Sequence, residues 1–249
     1  MSFTAPERLE LPALPSGQLL YAVGDVHGRA DLLRDLIAAI AADAAASGKM
    51  ERRSLVFLGD YVDRGPDSRE VIEILLNGLP QGFETHFLKG NHEAMLLDFL
   101  RDATRLELWR VNGGEVTMAS YGLQVNRLDL ARASAETWRS ALAVALPSEH
   151  LAFFKSLRLS LSVGDYLFVH AGIRPGVPLA LQREADLIWI RSPFLDHSGP
   201  FGTIVVHGHT PGKEPVTRPN RIGIDTGAVF TGRLTALRLE GNSRRFLRT

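Results

Sequence analysis

The sequence predicts an α/β fold that turns to α+β character toward its end. Three observations lead there. A short apolar run followed by Gly and then Asp or Asn, ahead of a helix-like stretch, occurs three times. A later pair of apolar runs alternates about a Gly-Asp turn, and the final third breaks into short alternating segments. Regular exchange of strand and helix implies a largely parallel sheet with helices packed on it. Functional groups then gather where strands end and helices begin.

The first three strands are LLYAV before Gly24-Asp25, SLVFL before Gly59-Asp60 and THFLK before Gly90-Asn91. Runs of this length bounded by Gly are buried strands, and the stretches after them have helical spacing, as at Leu32, Leu33, Leu36, Ile37 and Ile40. The three corners should therefore converge. From about Asp102 to Ser156 the texture changes to WRVNGGEVTMASYG, a polar stretch, and Ala- and Leu-rich spacing broken by Pro147, which is expected to be a helical cap or insert. LRLSLSVGDYLFVHAG predicts a hairpin about Gly164-Asp165. TIVV leads into His207-Gly208-His209, and RIGID, RLTALRLE and RRFL close the chain as short strands, the last pair turning at Gly241-Asn242. No linker divides the chain, so residues 1–249 are expected to form one domain.

Composition narrows the function. The 249 residues are 45% hydrophobic and 22% charged, which suits a soluble globular chain with one sizeable core. Lys plus Arg and Asp plus Glu number 28 each, so there is no basic field for non-specific nucleic-acid binding. The absence of cysteine excludes disulfides, Cys-ligated zinc, Fe–S clusters and thiolate nucleophiles, and fits a reducing compartment. The N-terminus has neither a basic start nor the apolar run of a signal peptide. No stretch approaches the roughly 18 apolar residues of a membrane span, so a cytoplasmic protein with no membrane partner is expected.

The corners carry Asp25, His27, Asp60, Asp63, Arg64, Asn91, His92, His170, His207 and His209, nearly all beside Gly. Alone, an Asp after a strand is a helix N-cap and a buried His a hydrogen-bonded core residue. Together they are a ligand set. Oxygen and imidazole donors without sulfur suit Mn²⁺, Fe or Zn²⁺ better than Ca²⁺ or Mg²⁺. Asp25 and His27 stand two apart at a strand end, so both side chains are expected to leave one face. By the same alternation His207 shares a face with His209 and could reach the ligands' surroundings, in a supporting or structural role. Other motif classes fail: His92-Glu93 lacks the second His of H-E-x-x-H because position 96 is Leu, and Gly212-Lys213 lacks the remainder of a P-loop. No G-x-S-x-G elbow is present.

With GDVHG, GDYVDRG, GNHE, VHAG and GHTP in this order, the chain resembles the calcineurin-like metallophosphoesterases over roughly residues 20 to 232. Within them it is similar to the phosphoprotein phosphatase group, which includes bacterial and phage Ser/Thr phosphatases and diadenosine tetraphosphatases. The resemblance implies two packed mixed sheets flanked by helices and a two-metal hydrolase. Carried over by motif, Asp25, His27 and Asp60 hold one metal, and Asp60, Asn91, His170 and His209 the other. A shared carboxylate and a bridging hydroxide offset the repulsion of ions roughly 3.5 to 4 Å apart, and the hydroxide attacks phosphorus in line. His92 is the implied general acid, with Asp63 holding its imidazole. Arg64 and Arg191 are the implied phosphate clamp, guanidinium forks matching phosphoryl oxygens bidentately. Arg174 is a weaker candidate for the same contact.

The leading functional expectation is a Ser/Thr phosphoprotein phosphatase or related phosphomonoesterase acting on a phosphorylated protein, peptide or small phosphoester with two divalent ions, Mn²⁺ foremost. The second is a dinucleoside polyphosphate hydrolase, for which Trp109, Tyr121 and Trp138 of the insert could stack on adenine or could instead be core. A catalytically dead scaffold would show a broken ligand set, and this one is intact. Asp225 is expected to be a hydrogen-bonding residue near the site and Glu93 a helix-start residue. His86, His150 and His197 are read as ordinary polar residues, and the C-terminal arginines 233, 238, 244, 245 and 248 as the solvated face of a hairpin.

Overall fold

Residues 11–123 and 133–249 are described by a computed structural model. The three early apolar runs become strands β1 (Gln18–Val23), β2 (Arg52–Phe57) and β3 (Glu84–Phe87), all parallel, joined by helices α1 (Ala30–Ala46) and α2 (Ser68–Asn77). Helix α3 (Asn91–Arg101) comes after β3. The insert is helical where described: α4 (Leu106–Trp109), α5 (Glu115–Ser120), α6 (Ala135–Ala145) and α7 (Ser148–Ser156). The hairpin is β4 (Ser160–Val163) and β5 (Tyr166–Val169), antiparallel about Gly164-Asp165. Helix α8 (Glu184–Trp189) leads to β6 (Ile204–His207), β7 (Val216–Thr217) and β8 (Arg221–Gly223), with β5, β6 and β8 parallel to one another. A last short helix, α9 (Ala228–Thr231), precedes β9 (Thr235–Glu240). β9 and β10 (Ser243–Arg248) form the expected terminal hairpin, but they extend the first sheet. β9 pairs antiparallel with β1. The strand orders are β10-β9-β1-β2-β3 and β4-β5-β6-β8-β7.

β3, at the edge of its sheet, carries Glu84, Thr85 and His86 and is only partly buried, against the expectation of a buried strand there; why β1 and the later half of β2 are apolar is visible in what each face meets. In β1, Leu20 and Ala22 point with Val56 and Leu58 at Phe168, Val206 and Ile222 of the second sheet. Leu19, Tyr21 and Val23 point the other way, under α1 and α2 with Leu33, Leu36, Val71 and Leu75. Side chains of a strand alternate faces, so a strand covered on both sides loses the polar half of its pattern. The second sheet is covered in turn by α8 through Leu187 and Ile188, and by Ile190 and Phe194, against Leu167, Val169 and Val205. Each fully buried aliphatic side chain contributes about 1.5–3 kcal/mol.

Trp109, Tyr121 and Trp138 of the insert are all buried and join the core under α1–α3, so none of them offers a face to a nucleobase. Four of the five C-terminal arginines are ion-paired to the fold, and Arg244 donates to the Tyr166 hydroxyl at 2.9 Å. Arg238 Nε donates to Asp43 Oδ2 at 2.8 Å, Arg245 pairs with the same carboxylate, and Arg233 and Arg248 pair with Glu214. Asp43 also receives the Tyr21 hydroxyl at 2.6 Å, which ties α1 to β1 and the terminal hairpin.

Candidate metal centre

The corners converge as expected. Asp25, Asp60 and Asn91 come after β1, β2 and β3, while His170 and His209 come after β5 and β6, so the C-terminal ends of both sheets' parallel strands face one another. Crowding at this meeting point explains the glycines. A Cβ on Gly90 would lie 2.1 Å from Asp60 Oδ1, and one on Gly208 would lie 2.0 Å from Asp25 Oδ1. Each carboxylate occupies the volume a side chain would need.

The loops are sharply turned. Among the described residues, the non-glycine positions with positive φ are His27 (46°), Asp60 (52°), Asp63 (72°), Arg64 (71°) and His209 (63°), all of them in this centre. Left-handed backbone is costly for residues with a Cβ and collects at functional sites. This geometry corrects two readings from strand alternation. β1 ends at Val23 and His27 is left-handed, so Asp25 and His27 meet by a turn and not by sharing a strand face. β6 ends at His207, and the turn at His209 separates the two histidines. His207 packs edge-on against Phe194 at 5.0 Å, with Nδ1 3.1 Å from the Gly208 carbonyl, which is a structural role.

Two groups of side chains could each hold an ion: His27, Asp60 and His92, and Asp60, His170 and His209. Asp60 Oδ2 is common to both, 3.6 Å from His27 Nε2, 3.4 Å from His170 Nε2 and 3.9 Å from His92 Nε2. Asn91 Oδ1 lies 3.0 Å from His170 Nε2 and 2.9 Å from His209 Nδ1. Asp25 Oδ2 accepts the His209 backbone N–H at 2.9 Å, while Oδ1 has no hydrogen-bond partner among the described residues. The Nε2 atoms of His92 and His209 are buried without partners among those residues as well. Buried oxygens and imidazole nitrogens with unused lone pairs, as at Asp25 Oδ1 and His209 Nε2, are what a divalent cation satisfies. The residues therefore fit the group.

Electrostatics agree with that fit. Burial pushes His27 and His209 down to about 3, so both imidazoles are neutral, the form that ligates metal. His170 is pushed up to about 10, the carboxylates of Asp60 and Asp25 outweighing its burial. A divalent cation answers the same carboxylates and displaces that proton on binding. Asp60, although buried, is held well below the carboxylate range by the charges of His170 and His92.

His92 Nδ1 lies 2.7 Å from Asp63 Oδ2. Asp63 is itself fixed by groups whose roles no sequence pattern revealed. Trp109 Nε1 donates to both of its oxygens at 3.1 and 2.9 Å, the Thr117 hydroxyl donates at 2.6 Å, and its own N–H is received by Ser68 and Thr117 hydroxyls. Glu93 does more than begin a helix. Fully buried, it accepts the N–H groups of Tyr61 at 2.7 Å and of Asp60 and Gly90 at 2.9 Å each, bracing the corner that carries Asp60. Asp225, as expected, is a buried hydrogen-bonding residue near the site, accepting the Gly227 N–H at 2.8 Å.

Arg64 reaches in, its guanidinium 2.8 Å from His27 Nε2, and exposed Arg191 lies close enough for its charge to help lower the His209 pKa. Arg174 does not serve the site. Its Nε donates to Asp186 Oδ2 at 3.0 Å, so its charge is already matched. His86 stands 3.4 Å from Glu84, and His197 packs on Phe201, both as ordinary polar residues; His150 is fully buried, which departs from that reading.

Two β-sheets meeting at a shared-carboxylate, His-rich centre define the class of metal-dependent phosphoesterases. The model of the calcineurin-like phosphoesterase family matches residues 19–232, and the chain belongs to that family. It is 30% identical over 237 residues to an asymmetrical bis(5'-nucleosyl)-tetraphosphatase PrpE of Bacillus cereus, covering 87% of this chain and 88% of that protein. It is 28% identical over 226 residues to serine/threonine-protein phosphatase 1 of Salmonella typhimurium, covering 89% and 92%. A solved structure provisionally assigned as a diadenosine tetraphosphatase superposes with a TM-score of 0.60 at 22% identity, over 92% of this chain and 93% of that one, which shows the shared fold. The chain is thus a phosphoester hydrolase, and no described helix is long and apolar enough to cross a membrane.

Proposed function

We propose that this enzyme is a Ser/Thr-type phosphoprotein phosphatase that hydrolyses phosphate monoesters at a centre of two divalent ions, Mn²⁺ foremost, in the cytoplasm. The observation that carries the reading is the use of Trp109. Trp109 is committed to Asp63, and Tyr121 and Trp138 are core, so these three supply no base platform, which favours a substrate presenting a single phosphoryl group.

In this reading Asp25, His27 and Asp60 hold one ion, and Asp60, Asn91, His170 and His209 the second. Bound there, the metals would neutralise phosphoryl charge and make water nucleophilic at neutral pH. The chain's own groups do the rest. Arg64 and Arg191 hold the phosphoryl oxygens, which aligns the ester for in-line displacement. His92 presents Nε2 to the leaving oxygen and gives it a proton as the P–O bond breaks, while Asp63 at Nδ1 fixes the ring's orientation and supports its charged form. Trp109 and Thr117 hold Asp63 in turn.

A second reading, dinucleoside polyphosphate hydrolysis, is favoured by Trp189. This indole is 40% exposed and stands edge-on to His209 at 6.0 Å, so an aromatic surface does border the centre although Trp109, Tyr121 and Trp138 do not provide it. A competition assay decides. Protein reconstituted with Mn²⁺ receives equal phosphoseryl peptide and diadenosine tetraphosphate, with products resolved by mass spectrometry. Dephosphorylated peptide appearing first is the expected result. Adenine nucleotides appearing first would transfer the assignment to the second reading.

A further inference from the structure

Away from the centre, α2 and α7 bring Glu73, Glu149 and His150 together, with one ligand atom of each within 4.8 Å of the others. His150 is fully buried. Its Nδ1 lies 2.8 Å from the Tyr121 hydroxyl. Its Nε2 has no hydrogen-bond partner among the described residues, yet sits 3.2 Å from Glu73 Oε1. Buried imidazole nitrogens are seldom left in that condition.

We propose that Glu73, Glu149 and His150 form a separate cation site for one zinc-class divalent ion, which clamps the insert to α2. The spacing supports this. Zinc bonds to His nitrogen at about 2.0–2.1 Å and to carboxylate oxygen at about 2.0–2.2 Å, so two ligands of a tetrahedral ion stand roughly 3.3 Å apart. The observed 3.2 Å separation is that distance. Burial lowers the His150 pKa and keeps the ring neutral, as a ligand must be. In the tautomer whose Nδ1–H donates to the Tyr121 hydroxyl, the lone pair lies on Nε2, facing Glu73. Glu149 is exposed and Glu73 half-buried, which gives the ion a route from solvent. Arg69 competes, its Nε 3.9 Å from Glu73 Oε1, but that side chain is half exposed and can turn away.

The position has a consequence for the centre. α2 starts at Ser68, whose hydroxyl receives the Asp63 N–H, while α7 belongs to the insert whose Thr117 and Trp109 hold the Asp63 carboxylate. An ion at Glu73, Glu149 and His150 ties α2, which carries Ser68, to the same insert, His150 reaching its Thr117 segment through the Tyr121 hydroxyl.

The test counts ions. The full chain and its E73Q/E149Q variant are equilibrated by dialysis against Zn²⁺ and their metal content measured by mass spectrometry. Both proteins have the same centre, so the difference between them reports only the new site, whatever the centre itself holds. One equivalent fewer in the variant is expected. Zinc at about 100-fold over Kd should also raise the wild-type Tm by about 5–10 °C more than the variant's. R69Q, which removes the competing cation, should bind the additional zinc several-fold more tightly. Equal zinc content in folded wild type and variant overturns the proposal. Should the double variant fail to fold, E149Q alters only an exposed side chain. It should weaken the additional equivalent about tenfold or more, and unchanged affinity there overturns the proposal equally.

Discussion

Replacing Glu93 with Gln separates bracing from local helix preference. The carboxylate's two oxygens receive four N–H groups: Tyr61 at 2.7 Å and Val62 at 3.4 Å on Oε1, Asp60 and Gly90 at 2.9 Å each on Oε2. Burial, with the charge of Asp60 beside it, pushes Glu93 up to about 7, while the Tyr61 N–H is among the groups that favour its ionised form. A carboxamide has one acceptor. Turned to keep the Asp60 and Gly90 bonds, it sets its NH₂ against the Tyr61 N–H; turned the other way, it loses two bonds. A hydrogen bond to a charged group contributes about 1.5–3 kcal/mol, and a buried unmatched donor costs a similar amount. The substitution should therefore cost about 2–4 kcal/mol, which for a chain of this size lowers Tm by about 4–16 °C. Calorimetric unfolding measures it, alongside metal affinity, which should weaken because the Asp60 corner loses its brace. A Tm within about 2 °C of wild type with metal affinity unchanged would show that the Asp60 corner stands without Glu93.

Three further outcomes are expected. His92→Asn should keep its metals yet turn over alkyl phosphates roughly 10² to 10⁴-fold more slowly, with a smaller loss on nitrophenyl phosphate, whose leaving group needs no proton; equal losses would refute the acid role. Trp109→Phe keeps the ring stacked on Phe99, 5.3 Å away, but withdraws the donor to Asp63, so kcat for alkyl phosphates should fall about tenfold with metal content unchanged. Asp43→Asn should destabilise the fold by about 1–3 kcal/mol at neutral pH. Although its burial opposes charge, the Tyr21 hydroxyl and the Arg245 and Arg238 guanidiniums hold the Asp43 pKa below its ordinary value. A depressed carboxylate stabilises above its unfolded pKa, about 3.9, and loses that contribution as pH falls. Denaturant titrations should thus show the gap between wild type and variant closing below about pH 4.

How much of the fold and the centre is legible in the sequence depends on distance along the chain. The strand-Gly-Asp corners are local patterns, and the glycines at 90 and 208 signal the carboxylates that fill their missing side-chain volume. The supports of those corners carry no such signal. Glu93 reaches back 32 residues to Tyr61, Trp109 46 and Thr117 54 to Asp63, each contact made by an ordinary side chain from another helix. Arg174 satisfies an expectation of charge near His170, and only the fold reveals that Asp186 claims it. Alternation misplaces His207 because a left-handed turn at His209 ends the strand's period of two.

That same left-handed backbone is strain that the buried contacts of the site's side chains hold in place. At Asp63 a glycine would relieve strain of about 1–2 kcal/mol, against about 0.5–1 kcal/mol of added chain entropy in the unfolded state and about 1–3 kcal/mol for each buried donor, Trp109 and Thr117 among them, left without the carboxylate. Heat stability alone would therefore retain this side chain, so the strained turn and the group that orients His92 are kept together.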